Sequence, residues 1–202
     1  MAEQSSLVKL LATFDMALEW RGFELHPETP PGGRPLSDLF PPERLQGMDE
    51  YLNRFAQGFG VAPLKPASWL PNTRRALALA ELAREHGALE PYRQAAMEAH
   101  WRRGLNLEDE QVLEDLALGA GLPAGSAEAS KDARYLDRID QTRQEAMAMG
   151  IQSIPTFVFG SLGVVGCHPF DTLAQAAREA GAQPKASPPA PTFPLGEIKG
   201  DN

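Results

Sequence analysis

The sequence predicts a small α/β domain that is interrupted by a long helical insertion, and two observations lead to this fold class. Apolar residues recur at three- and four-residue steps through most of residues 41–149, which is the spacing of amphipathic helices. Short apolar runs typical of β-strands occur on both sides of this block, at residues 16–25 and 154–166. Because the block is too long for a crossover connection between strands, it predicts an inserted helical domain.

The segment before the insertion predicts one helix and one strand. Residues 7–15 carry Leu and Phe at helical spacing, and residues 16–25 alternate well enough for a strand. Four prolines and two glycines predict a loop over residues 26–35.

The insertion itself predicts five helices, over residues 42–59, 72–85, 90–103, 108–118 and 126–149. Asn72 is the expected N-cap of the second helix, because its side chain can accept a hydrogen bond from the first turn. Gly150 is expected to end the last helix, which is the longest of the five.

The segment after the insertion predicts a β-hairpin, a helix and a tail. Residues 154–159 and 164–166 are the expected strands, and Pro169 opens a helix that ends at Gly181. Residues 182–202 are rich in Pro and Ala and predict a disordered tail. The expected division is residues 1–40 and 150–181 for the α/β part, residues 41–149 for the helical insertion, and residues 182–202 for the tail.

Composition and charge exclude several classes of function. The formal net charge of -8 argues against a nucleic-acid partner, since phosphate binding needs clustered Lys and Arg. No apolar run approaches the roughly 18 residues that a membrane span needs, so no membrane association is expected. A single cysteine excludes an intramolecular disulfide and is typical of a reducing compartment, which predicts a cytoplasmic location.

Three segments of the sequence carry a family resemblance. They are residues 18–27 (LEWRGFELHP), residues 72–80 (NTRRALALA) followed by 96–101 and 109–116, and residues 149–159 (MGIQSIPTFVF) followed by 165–169 (VGCHP). In order and spacing they resemble the DsbA-like thiol–disulfide oxidoreductase family, specifically its FrnE-type branch. That branch is similar to the 2-hydroxychromene-2-carboxylate isomerases and the kappa-class glutathione transferases. The resemblance extends over residues 7–181.

The resemblance implies a thioredoxin-like sheet with a helical domain inserted between its two halves, and a cis-proline at Pro155. It also implies that Ile154, Pro155 and Thr156 bind substrate, with the main chain of Ile154 pairing with a peptide that carries a thiol or disulfide, or with glutathione. No other cofactor is implied. From the residues alone, Pro155 could equally be a trans proline that opens an edge strand.

Members of this family begin with a strand and a Cys-x-x-C loop before the first helix, and the sequence has no counterpart of either. We therefore expect the chain to be inactive in dithiol–disulfide exchange, or incomplete with its true start upstream. Otherwise a second chain, or the first residues of this one, must cover the gap, and an uncovered sheet favours a homodimer. Two alternative functions stay open: a non-catalytic peptide- or glutathione-binding protein, and a truncated 2-hydroxychromene-2-carboxylate isomerase-like enzyme.

The remaining residues with chemical potential do not form a recognisable site. Cys167 is interpreted as a partly buried packing residue, and a redox sensor with one thiol is the alternative. None of the four histidines has the spacing of a metal site: His26, His86, His100 and His168. The sequence therefore predicts no metal and no catalytic residue in this chain.

Overall fold

The computed structural model describes residues 4–65 and 68–185 of the chain. Its elements are, in order, α1 (Gln4–Thr13), β1 (Phe14–Asp15), β2 (Arg34–Pro35), a 3-10 turn (Leu36–Asp38), α2 (Pro42–Gly58), β3 (Trp69–Leu70), α3 (Arg74–Glu85), α4 (Leu89–Trp101), α5 (Glu110–Gly119), α6 (Ser126–Ala129), α7 (Ala133–Ala148), β4 (Thr156–Phe159), β5 (Leu162–Val165), α8 (Phe170–Glu179) and β6 (Gln183–Pro184). No helix within these two ranges is long and apolar enough to cross a membrane.

One hydrophobic core lies between the β4–β5 hairpin and the helices α1 and α8. Leu10, Phe14 and Leu173 are fully buried in it, together with Phe157 and Phe159 of β4. The hairpin is antiparallel and places Phe157 opposite Val164. Because side chains alternate along a strand, β4 directs its two phenylalanines to this core and Val158 to the opposite face.

A second core lies within the helical block and is centred on α3. Leu79 and Ala83 of α3 have no exposed surface, and α3 packs against α4, α5 and α7. Alanines at the contacts, such as Ala99 of α4, permit a close approach of the helix axes. The hydroxyl of the buried Tyr92 donates a 3.0 Å hydrogen bond to the carbonyl of Ala76, which fixes α4 on α3.

The helix predicted over residues 126–149 is wrong as a single element, because it consists of α6 and α7. Asp132 is the N-cap of α7 and accepts a 3.0 Å hydrogen bond from the N–H of Arg134. A short polar side chain that bonds its own backbone competes with the continuing helix, so the chain turns at this point. The other predicted helices are observed with ends within one turn of the expected positions.

The strand predicted over residues 16–25 is also not formed. The chain forms neither a helix nor a strand there, and the strand that precedes it, β1, pairs with β6 in the register Phe14↔Pro184. Across the described ranges, no strand lies beside residues 16–25 and no backbone–backbone hydrogen bond reaches them. Alternation of side chains predicts an extended backbone, but a strand also needs a neighbour.

Two loop predictions need correction because each segment contains a short strand. Residues 182–202 were expected to be a tail, but Gln183–Pro184 form β6 and the N–H of Lys185 donates to the carbonyl of Thr13 at 2.9 Å. Residues 186–202 of that prediction lie outside the described residues. The loop predicted over residues 26–35 ends in β2, which pairs with β3. Main-chain pairing needs no apolar periodicity, so the pattern could not indicate either strand.

Candidate functional site

The residues predicted to bind substrate lie in the connection between α7 and β4. The helix α7 ends at Ala148, and Gly150 follows it with a φ of 77°, which suits a residue without a side chain. The chain then turns, and the peptide bond between Ile154 and Pro155 is cis. Thr156 is the first residue of β4, so the candidate site sits where the hairpin begins.

Hydrogen bonds fix Pro155 and Thr156, whereas the main chain of Ile154 forms no backbone–backbone hydrogen bond within the described residues. The carbonyl of Pro155 accepts from the N–H of Gly166 at 2.8 Å, and the hydroxyl of Thr156 donates to the carbonyl of Ser153 at 2.7 Å. Among the residues that the structure describes, the N–H and C=O groups of Ile154 form no backbone–backbone hydrogen bond. The N–H of Ile154 can therefore donate a hydrogen bond to a ligand, and its C=O can accept one.

The surface next to Ile154 is apolar and includes an open strand edge. Ile154 is 52% exposed, and Val158, two residues beyond the start of β4, is 47% exposed. Within the described chain, β4 pairs with β5 alone, so its other edge carries main-chain groups without a ladder partner. Such an edge is a template for an added strand.

Residues 16–25 are held against the helical block rather than in a sheet. The guanidinium of Arg93 lies 3.9 Å from the centre of the Trp20 ring, and Arg84 donates a hydrogen bond to the carbonyl of Trp20. Gly22 permits a close approach to α3, since an added Cβ would lie 2.9 Å from Leu77. Side chains of α3 and α4 thus supply the contacts that a neighbouring strand would otherwise give.

An ionic cluster around one buried carboxylate completes this attachment. Glu24 is only 3% exposed, and its carboxylate accepts a 3.0 Å hydrogen bond from Arg74 of α3. The same guanidinium binds Asp140 of α7 through two bonds of 2.8 and 2.6 Å. Hydrogen bonding between them raises the pKa of Arg74 and lowers the pKa of the Asp140 carboxyl. The role of Glu24 was not predicted from the sequence, although a charged residue late in an apolar alternation is a visible signal.

The titratable residues do not converge on Ile154 as an acid–base pair. The side chain of His168 bonds the carbonyl of Val165 at 2.8 Å, and the half-buried Cys167 follows Gly166, the residue that bonds Pro155. His100 lies in the helical block, edge-on to Trp101, and burial lowers its pKa. No group of three His, Cys, Asp or Glu in the described ranges is placed to hold a metal ion.

The histidine positions have no common site. His26 bonds Glu28 in the loop that follows residues 16–25, and His86 is the C-cap of α3. The arrangement around Ile154 can thus bind a main chain and apolar side chains, and it offers one nearby thiol rather than two.

Comparison with known proteins identifies the relatives of this chain. A family model described as DSBA-like thioredoxin domain matches residues 1–178. The uncharacterized protein YwbO of Bacillus subtilis (strain 168) is 27% identical over 165 residues, which are 80% of this chain and 81% of that protein. The crystal structure of the probable DsbA oxidoreductase SCO1869 from Streptomyces coelicolor superposes with a TM-score of 0.78 at 26% identity, covering 89% of this chain and 83% of that one.

Proposed function

The chain belongs to the DSBA-like thioredoxin domain family, and we propose on that premise that it binds an extended, cysteine-containing main chain at Ile154–Thr156. The ligand is a peptide that carries a thiol or disulfide, or glutathione, which offers the same chemistry. We further propose that this chain does not carry out dithiol–disulfide exchange by itself. The fold class predicted from the sequence is confirmed, since the family match and the superposed structure both have the DsbA-like thioredoxin fold.

The observation that carries the proposal is that the main chain of Ile154 forms no backbone–backbone hydrogen bond within the described residues and lies beside the open edge of β4. Peptides commonly bind by adding a strand to such an edge, with main-chain hydrogen bonds supplying affinity and side-chain contacts supplying specificity. Ile154 and Val158 are both about half exposed and would contact alternate side chains of the ligand. Pro155 and Thr156 are already fixed by their own hydrogen bonds, so the site needs little ordering on binding.

The proposed lack of exchange activity depends on the thiol count. A dithiol catalyst attacks a substrate disulfide with one thiolate and releases the mixed disulfide with a second. Cys167 is the single cysteine of the sequence, so one chain cannot supply both thiols.

Dithiol–disulfide exchange is nevertheless the second candidate function. The family and the printed name of the Streptomyces protein, a probable DsbA oxidoreductase, favour it. We place it second because this sequence contains no pair of cysteines. The FrnE-type branch and a cytoplasmic location are parts of the same proposal, supported by the three matching segments and by the low cysteine content.

Nuclear magnetic resonance titration of the ¹⁵N-labelled chain tests the binding site. The two probes are oxidised glutathione and an octapeptide of alternating Val and Ser with a central S-methylated cysteine. We expect both to shift the amide signals of Ile154, Thr156 and Gly166 more than those of the helical block.

A matched pair of variants separates this site from general apolar binding. Ile154→Asp places a charge beside the open edge of β4 and should weaken binding at least tenfold. Leu118→Asp changes an equally exposed apolar residue of α5, 49% exposed, and should leave binding unchanged. Equal effects of the two variants, or shifts that spare Ile154 and Thr156, would contradict the proposal.

A further inference from the structure

Helix α2 carries an aromatic face that its own chain leaves largely uncovered. Of its 17 residues only Ala56 is buried, while Tyr51 is 61% and Phe55 is 36% exposed. The rings form a ladder, with centroids 6.4 Å apart for Tyr51 and Phe55 and 5.1 Å apart for Phe55 and Phe59. An exposed apolar row of this kind, rimmed by charged residues, is typical of an interaction surface.

The row also contains a hollow, one helical turn before Tyr51. Gly47 has no side chain, and an added Cβ would meet no atom within 4 Å. Residues four apart share a face of a helix, so Gly47, Tyr51 and Phe55 form a row of hollow, ring and ring. When a second α2 runs antiparallel with Tyr51 opposite its counterpart, Phe55 of each copy lies over Gly47 of the other. The row is complementary to itself.

The charges beside this row are complementary in the same register. Glu50 and Arg54 lie on one flank, and neither forms an ion pair within the described part of the chain. In the antiparallel arrangement, Arg54 and the Glu50 of the second copy differ by two positions, which is about 3 Å along the axis. Glu50 of each copy then pairs with Arg54 of the other, which gives two reciprocal ion pairs, as in antiparallel coiled coils.

We propose that the chain forms a homodimer by antiparallel packing of α2 against α2 of a second copy. The contact is isologous, because the same surface of both subunits takes part, and so it closes at two chains. Glycine under aromatic rings and reciprocal Glu–Arg pairs favour a second copy over an unrelated partner. A helix of this length, about 25 Å, gives an interface at the small end of the known range, so a dissociation constant of micromolar order is expected.

Sedimentation velocity of the full chain between about 1 and 200 μM tests the dimer directly. We expect a concentration-dependent shift from monomer to dimer. Glu50→Arg and Arg54→Glu should each weaken association at least tenfold, because each places like charges together, and the double variant should restore it. Asp49→Arg is the control, since Asp49 is exposed on the side of α2 that faces away from Tyr51.

A variant at the hollow separates loss of the interface from loss of folding. Gly47→Gln removes a glycine from a helix interior and has open space around it, so the thermal midpoint of the monomer should rise or stay constant. The same side chain occupies the place of the partner's Phe55 and should weaken the dimer at least tenfold. A monomer at every concentration, a dimer that ignores these variants, or single reversals that the double variant does not rescue would each overturn the proposal.

Discussion

Replacing Arg74 by Met is the most informative perturbation of the fold, since this guanidinium joins residues 16–25 to two helices. It binds Glu24 on one side and Asp140 of α7 on the other. Glu24 is 3% exposed, so Arg74→Met leaves a buried carboxylate without its partner. Met fills a similar volume, and the change therefore removes the charge rather than the packing.

The expected cost follows from the burial of the three groups. Removing one partner of a fully buried ion pair costs about 3–5 kcal/mol. The side chains of Arg74 and Asp140 are 30% and 48% exposed, so solvent relieves part of the penalty. We expect the free energy of unfolding to fall by about 2–4 kcal/mol, a large share of the 5–15 kcal/mol of an ordinary domain.

Urea unfolding followed by circular dichroism measures this difference. The matched control is Lys131→Met, which also removes a cation from between two carboxylates, those of Glu110 and Glu128. All three groups are about half exposed or more, so solvent screens their charges and the control should cost much less than Arg74→Met. Adding Glu24→Leu to Arg74→Met should recover part of the loss, because it removes the stranded charge. Equal costs for Arg74→Met and Lys131→Met would refute the reasoning.

Three further predictions concern pH and packing. The hydrogen bond from Arg74 lowers the pKa of Asp140, so this carboxylate stabilises the fold fully above about pH 3.9. The stabilisation decreases as the pH falls through the lower pKa of the folded state. In the Asp140→Asn variant, the free energy of unfolding should therefore fall less steeply at acid pH. Burial lowers the pKa of His100, so stability should decline as the pH falls below about 6.5, and thermal unfolding of His100→Gln should lack that decline. Gly22→Val would press on Leu77 and should cost about 1–3 kcal/mol, whereas Gly163→Val, with nothing within 4 Å, should not; equal thermal midpoints would contradict this.

The helices could be predicted from the sequence because their signals are local. Apolar spacing located α2, α3, α4 and α5, and Gly150 marked the end of α7. The break before α7 had no unambiguous signal, because an Asp such as Asp132 can lie on the polar face of a continuous helix or act as an N-cap.

Strand pairing could not be predicted in the same way, because it depends on residues far apart in the chain. The alternation of residues 16–25 predicts a strand that is not formed, and the contacts that hold this segment come from Arg74, Arg84 and Arg93 of α3 and α4. The pairing of β1 with β6 joins two segments that are almost the whole described chain apart. Neither segment contains a sequence signal for the other.

The candidate site shows the same division between local and distant information. A local motif located Ile154, Pro155 and Thr156, and its resemblance to a family implied their role. The hydrogen bond from Gly166 to Pro155, which holds Pro155 in place, arises from the hairpin register and had no separate signal in the sequence. The role of the three residues stays a prediction until binding is measured.

Insulin reduction by dithiothreitol, followed as turbidity, tests most directly whether this member of the family binds without exchanging dithiols. The chain and its Cys167→Ser variant are compared at equal concentration with dithiothreitol alone. We predict that neither protein accelerates precipitation, since the sequence has one thiol. Acceleration by the chain that disappears in Cys167→Ser would contradict it and would assign redox chemistry to Cys167.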